Sequence, residues 1–79
     1  MSNQQKYKDI FIKSLSMDNK KFNENLKYNE ISEWDSIGHM TLMSGLEEAF
    51  NITMETDDIV DFSSYKKGME ILTKNKINF

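Results

Sequence analysis

Apolar residues recur at helical spacing in three stretches of the chain and lose that spacing between the first two. Over 4–15, Tyr7, Ile10, Phe11 and Leu15 fall on one side while Lys6, Asp9 and Lys13 fall on the other. This predicts an amphipathic helix whose stripe is core. Over 36–50, at about 100° per residue, Leu42, Met43, Leu46, Ala49 and Phe50 gather in one sector, with Ser36 at its edge. On the other side of that helix lies an expected exposed strip of Ile37, Met40, Ser44, Glu47 and Glu48. Over 63–76, Tyr65, Met69 and Leu72 stand at i, i+4 and i+7, with Ile71 beside them. Residues 16–34 show no sustained period. Phe22, Leu26, Tyr28, Ile31 and Trp34 are spaced through polar sequence as anchors, which suits a long connection pinned across a bundle by its own side chains.

Local signals place the ends of these elements. Asp35 is the expected N-cap of the second helix and Asn51 its stop, and Asp18 can cap a short turn. Thr56 followed by Asp57 and Asp58 starts one or two helical turns, at whose end Phe62 should turn inward. Ser63 or Ser64 caps the last helix, Lys74 and Lys76 suit its C-terminal end, and residues 75–79 are expected to fray. The expected fold is an all-α four-helix bundle over a single domain, 1–79. It has three longer helices, a short third helix and a long first loop.

Composition restricts what such a bundle can be. The 79 residues include no Cys, so neither disulfides nor a Cys-ligated metal can staple the fold, and burial must come from Met, Phe, Trp, Ile and Leu. No apolar run approaches the ~20 residues of a membrane span, and the polar N-terminus lacks a signal-peptide core. The expectation is a soluble, cytoplasmic, monomeric protein with no membrane insertion. The net charge of −3 conceals an uneven distribution: 1–34 carries +1, 35–61 carries −7 without a single Lys or Arg, and 62–79 carries +3. An acidic middle disfavours nucleic acid and favours partners with Lys or Arg patches.

Candidate chemistry centres on Ser36, where the irregular stretch meets the start of a helix. Free backbone N–H groups and the macrodipole favour an anion there, so a phosphodiester on the hydroxyl would be well placed, with Asp35 capping beside it. A hydrolase would need a base and an oxyanion loop. The lone His39 sits three residues on, and no glycine-flanked nucleophile turn accompanies the serine, so no catalytic residue is assigned. One His and no Cys give no zinc site, and Asp57, Asp58 and Asp61 lack EF-hand spacing, so no metal is expected. His39 is expected at the rim near Ser36, either as a half-buried polar side chain or touching an attached group. Gly38 and Gly45 each cost ~1 kcal/mol in a helix interior. Gly38 would leave bare backbone where an arm or partner could lie close.

The stretch Trp34-Asp35-Ser36-Ile37-Gly38-His39-Met40, followed by Leu42, Met43, Leu46-Glu47-Glu48, Phe50, Ile52 and Met54, resembles the motif of acyl carrier proteins. The likeness extends over nearly the whole chain in size, serine position and helix plan. It implies that Ser36 carries 4′-phosphopantetheine, added from coenzyme A by a phosphopantetheinyl transferase, with Asp35 and His39 beside the arm. The arm would hold cargo as a thioester and pass it between loading and transferring enzymes. Ile37, Met40, Glu47, Glu48, Asp57 and Asp58 would then meet basic patches on those partners. Leu46, Ile59 and Phe62, between the second and third helices, could shelter an acyl chain. Trp34 and Gly38 stand where fatty-acid carriers usually have a small and an acidic residue, and Thr41 and Ser44 also depart from that pattern. Trp-Asp-Ser looks more like specialised carriers, the stand-alone proteins of polyketide, nonribosomal or surface-glycan pathways and D-alanyl carriers. The resemblance implies thioester-bound acyl groups as cargo, with an aminoacyl, D-alanyl or peptidyl carrier as the alternative. An unmodified acidic interaction module is the reading from a different class.

Overall fold

Four α-helices and one 3-10 turn are present in a computed structural model that describes residues 2–79. Helix α1 spans Asn3–Ser14, the 3-10 turn Asn19–Lys21, α2 Ser36–Phe50, α3 Thr56–Asp61 and α4 Tyr65–Lys74. No strand occurs among the described residues; a single antiparallel bridge pairs Lys27 with Ser64. The architecture is all-α, as the periodicity predicts. No helix of the described residues is long and apolar enough to cross a membrane.

Each helix starts where a side chain can accept from its first free N–H groups. Ser2 accepts from Gln5 N at 3.1 Å for α1, and Asp35 from Gly38 N at 2.8 Å for α2. Ser64, rather than Ser63, accepts from Lys67 N at 2.9 Å for α4. Asp18 does the same for the 3-10 turn through Lys20 N at 2.9 Å. Helix α3 is the exception: Glu55 precedes it and makes no side-chain cap bond, so Thr56 is its first helical residue. Asn51 ends α2 in the left-handed region at φ 53°, a conformation that Asn tolerates better than most residues.

The core is one cluster built from α1, α2, α4 and the connections between helices. Tyr7, Phe11 and Leu15 from α1, Leu42, Met43 and Leu46 from α2, and Tyr65, Ile71 and Leu72 from α4 are buried together with Met17, Leu26, Trp34, Met54 and Phe62. Its centre is aromatic. Phe11 meets Trp34 edge-on at 4.8 Å and Tyr65 at 5.2 Å, and Tyr7 stacks on Tyr65 at 4.6 Å. Helices α1 and α2 pack most closely across Gly45, where a Cβ would come within 2.6 Å of Ser14 Oγ.

The long connection is pinned by four of its five expected anchors, Tyr28 being exposed instead, and by Met17 in addition. Met17, Leu26 and Trp34 enter the core, and Phe22 and Ile31 pack on its edge. Its backbone is stitched to the start of α4, with Tyr28 N donating to Ser63 O at 2.8 Å and Tyr65 N to Leu26 O at 2.9 Å. These bonds satisfy backbone groups that a loop crossing a bundle would otherwise leave orphaned.

The C-terminal residues differ from expectation. Rather than fraying, they fold back: Ile77 N donates to Leu72 O at 3.0 Å, and Asn3 Nδ2 donates to Asn78 O at 2.9 Å. Phe79 lies 5.5 Å from the Tyr7 ring. A terminal aromatic residue with a partner on α1 has an apolar gain that offsets the entropy of ordering.

Candidate functional site at the start of helix α2

Ser36 is the first helical residue of α2 and is exposed. Asp35 directs its carboxylate to Gly38 N, and its carbonyl accepts from His39 N at 2.8 Å, so the first turn is held from both ends of one residue. The segment leading into it is fixed as well. Trp34 is fully buried, and Lys21 grips Glu33 at 2.9 Å. That hydrogen bond, helped by the backbone and by Ser32, holds the Glu33 carboxyl below the usual carboxylate range.

Gly38 has a packing reason to be glycine. A Cβ there would run into the carbonyl oxygen of Glu33 and come within 3.2 Å of Leu15 Cδ2. The space the sequence leaves open at this position is filled by the protein's own backbone. An arm or partner is not needed to explain the residue.

His39 bridges two elements. The Trp34 indole can only donate, so its bond at 2.9 Å to His39 Nδ1 makes that nitrogen the acceptor and places the ring proton on Nε2. Nε2 then donates to Ile59 O on α3 at 2.8 Å. The imidazole is flanked by Tyr28 at 5.3 Å and Phe62 at 5.9 Å. Both ring nitrogens are therefore engaged inside the fold. The expectation that His39 helps hold a group on Ser36 is corrected to this extent: no ring nitrogen is left to do so.

On the outer side of this bridge lies an apolar groove of about 260 Å³, lined by Tyr28, His39, Ile59, Val60, Phe62 and Ser63. Of the three residues expected to form an apolar shelter, Ile59 and Phe62 reach this groove. Leu46 does not, being sealed in the core. A second, larger groove of about 590 Å³ runs between α1 and α2, floored by Ile10, Gly45 and Ala49 and edged by Lys13 and Glu48.

The residues expected to face partners separate into two groups. Ile37 is 77% exposed and Met40 53%, both large apolar side chains in water, and Glu48 and Asp57 are exposed beside the same helices. Glu47 and Asp58 are corrections. Glu47 is half-buried and its carboxylate accepts from Met54 N at 2.8 Å, clamping the link between α2 and α3. Asp58 is only 4% exposed and pairs with Lys74 of α4. The hydrogen bond to Asp58 in turn pushes the Lys74 ammonium up from its ordinary value. The cause is geometric, because Asp58 lies on the side of α3 that meets Lys74 of α4 while Asp57 and Asp61 lie on its exposed side.

Val60 and Tyr28 extend the exposed apolar surface beyond the expected residues, at 75% and 40% exposure. Val60 had a signal: it lies between Asp57 and Asp61 on the polar side of a six-residue helix. Tyr28 is a correction, expected as a buried anchor and instead held at the surface where the long connection is stitched to α4. No protein-family model, curated protein or solved structure matches this chain.

Proposed function

We propose that this chain is a carrier protein similar to acyl carrier proteins, with 4′-phosphopantetheine attached to Ser36. The observation that carries the reading is the exposed Ser36 hydroxyl on the first turn of a rigidly seated helix, with the cap bond of Asp35 directed past it to Gly38. The order of long, long, short and long helices, with a pinned first connection, supports it further.

The residues present fit such a group. An exposed hydroxyl can reach into the active site of a modifying enzyme, and a phosphodiester formed on it would sit at the positive end of α2. In forming it, the Ser36 hydroxyl loses its proton and its oxygen attacks the pyrophosphate of coenzyme A. The diester bond forms as the nucleotide bisphosphate leaves. Bound there, the arm supplies a terminal thiol that holds cargo as a thioester. The chain's own part is to keep Ser36 exposed and its helix fixed while partner enzymes act.

Those partners would be a phosphopantetheinyl transferase and cytoplasmic enzymes that load and receive the cargo. Ile37, Met40 and Val60 offer apolar contact, and Asp35, Glu48 and Asp57 offer charge to basic patches. The same surface favours a second reading, an unmodified interaction module. Incubation with a broad-specificity transferase and a fluorescent coenzyme A analogue separates the two. The carrier reading expects a labelled band that Ser36→Ala abolishes. The module reading expects no label and partner binding indifferent to Ser36→Ala.

A further inference from the structure

On the carrier reading, we infer that the cargo is a small polar acyl group that stays in solvent. The Trp34–His39–Ile59 bridge closes the seam between α2 and α3 to an alkyl chain hung from Ser36. His39 lies one turn along α2 from Ser36, on an adjacent face, so a chain leading from Ser36 into that seam meets the imidazole first. The ring is tied on both sides, to Trp34 Nε1 at 2.9 Å and to Ile59 O at 2.8 Å. Parting α2 from α3 here breaks the bond from Nε2 to Ile59 O, which the Trp34 bond supports by fixing the ring and its tautomer, and a methylene chain has neither donor nor acceptor to replace it.

Behind the bridge the side chains are closely packed. Trp34, Leu42 and Leu46 are fully buried and Phe62 is 1% exposed. Their rings and branches interlock, with Trp34 and Phe62 at 6.4 Å and Phe11 against both. Outside the bridge the groove of about 260 Å³ is rimmed by Val60, itself 75% exposed, so a chain lying there would remain half in water. The larger groove between α1 and α2 is lined by Thr41, Ser44 and Glu48, which face away from His39 across α2, and is edged by charge. Neither groove beside α2 therefore offers a long apolar cargo a dry site. An aminoacyl or similarly short polar group, which loses little by staying hydrated, has no need of one.

His39 and Trp34 are thus specificity-determining residues that act by exclusion. The test loads the 79-residue chain with phosphopantetheine, octanoyl-phosphopantetheine or glycyl-phosphopantetheine from coenzyme A or its matching thioesters and confirms each product by intact mass. Melting temperatures and backbone amide shifts are then compared between forms of the same variant, which cancels any structural cost of the substitution. In the wild type, the octanoyl and phosphopantetheine forms should melt within ~1 °C of each other, and in His39→Ala the octanoyl form should gain ~5 °C or more. Trp34→Phe, which keeps a ring but deletes the donor, should gain in the same direction and serves if His39→Ala folds poorly. A wild-type octanoyl form that gains ~5 °C, or moves the Leu46 and Phe62 amides, overturns the inference while leaving the carrier reading intact. Failure of both variants to gain overturns the role of the bridge. Absence of any mass gain overturns the carrier reading and this inference together.

Discussion

The phenol of Tyr7 donates a 2.7 Å hydrogen bond to the backbone carbonyl of Tyr65, joining the first helix to the start of the last across 58 positions of sequence. The two rings also stack at 4.6 Å, and both are buried. Tyr7→Phe keeps the ring but leaves that carbonyl without its donor, so it should cost about 1–3 kcal/mol, read as a lower midpoint in urea.

The same pair sets an alkaline limit. Burial first, and then the neighbouring Tyr65, pushes the Tyr7 phenol well above its ordinary value; burial also raises Tyr65, with Glu24 adding to the effect. A raised phenol keeps its full stabilisation below the unfolded value of ~10 and loses it as pH climbs beyond, because only the unfolded chain ionises there. Melting temperature should therefore be flat from neutrality to about pH 9 and fall above pH 10. Tyr7→Phe should flatten that fall, leaving the share due to Tyr65. An equal slope in both proteins would assign the alkaline loss elsewhere.

Gly38 should resist the usual gain from replacing a helical glycine. Alanine offers ~1 kcal/mol in helix propensity, but its Cβ would collide with the Glu33 carbonyl oxygen, which is backbone and cannot rotate away. Gly38→Ala is expected to destabilise by about 1–3 kcal/mol net, measured by urea unfolding. A gain instead would mean that the chain before Trp34 yields easily.

Glu47 and Glu48 are adjacent acids with different work. Glu47→Ala removes the acceptor for Met54 N and should cost about 1.5–3 kcal/mol. Glu48→Ala, on an exposed position, should stay within about 0.5 kcal/mol. For partner binding the expected order reverses, with Glu48→Lys slowing association with a basic partner while the fold stays intact. Equal stability for the two alanine variants would remove the clamp from the account.

Asp58 and Lys74 should show coupling. Lys74→Ala leaves a buried carboxylate without its partner and should lower the melting temperature more than Asp58→Asn does. Adding Asp58→Asn to Lys74→Ala should restore part of the loss, a double-mutant cycle with a clearly non-zero coupling. Additive losses would show that the pair is only a surface neighbour of α3.

The helices were legible because their apolar stripes repeat. Tyr7, Phe11 and Leu15, or Leu42, Met43 and Leu46, declare a buried face without reference to anything distant. The caps at Asp35 and Ser64 and the stop at Asn51 were legible for the same reason, since each acts within four residues. What the sequence could not display were pairings set by tertiary approach. Asp58 reads as surface charge until α4 brings Lys74 to it, and Glu47 reads as exposed until the chain turns Met54 N toward it. His39 has no local signal for a bond to Ile59, 20 residues away. Ser36 was conspicuous in sequence through its helix-start position. Its exposure, with the Asp35 cap bond directed to Gly38 N, agrees with that position.

Ser36 is the residue on which the carrier role turns, and the most direct measurement is the intact mass of the purified chain after incubation with a broad-specificity phosphopantetheinyl transferase, Mg²⁺ and coenzyme A. The expected result is a gain of one phosphopantetheine, carried by the peptide containing Ser36 and absent from a folded Ser36→Ala variant. An unchanged mass, or a gain that persists in Ser36→Ala, would contradict it.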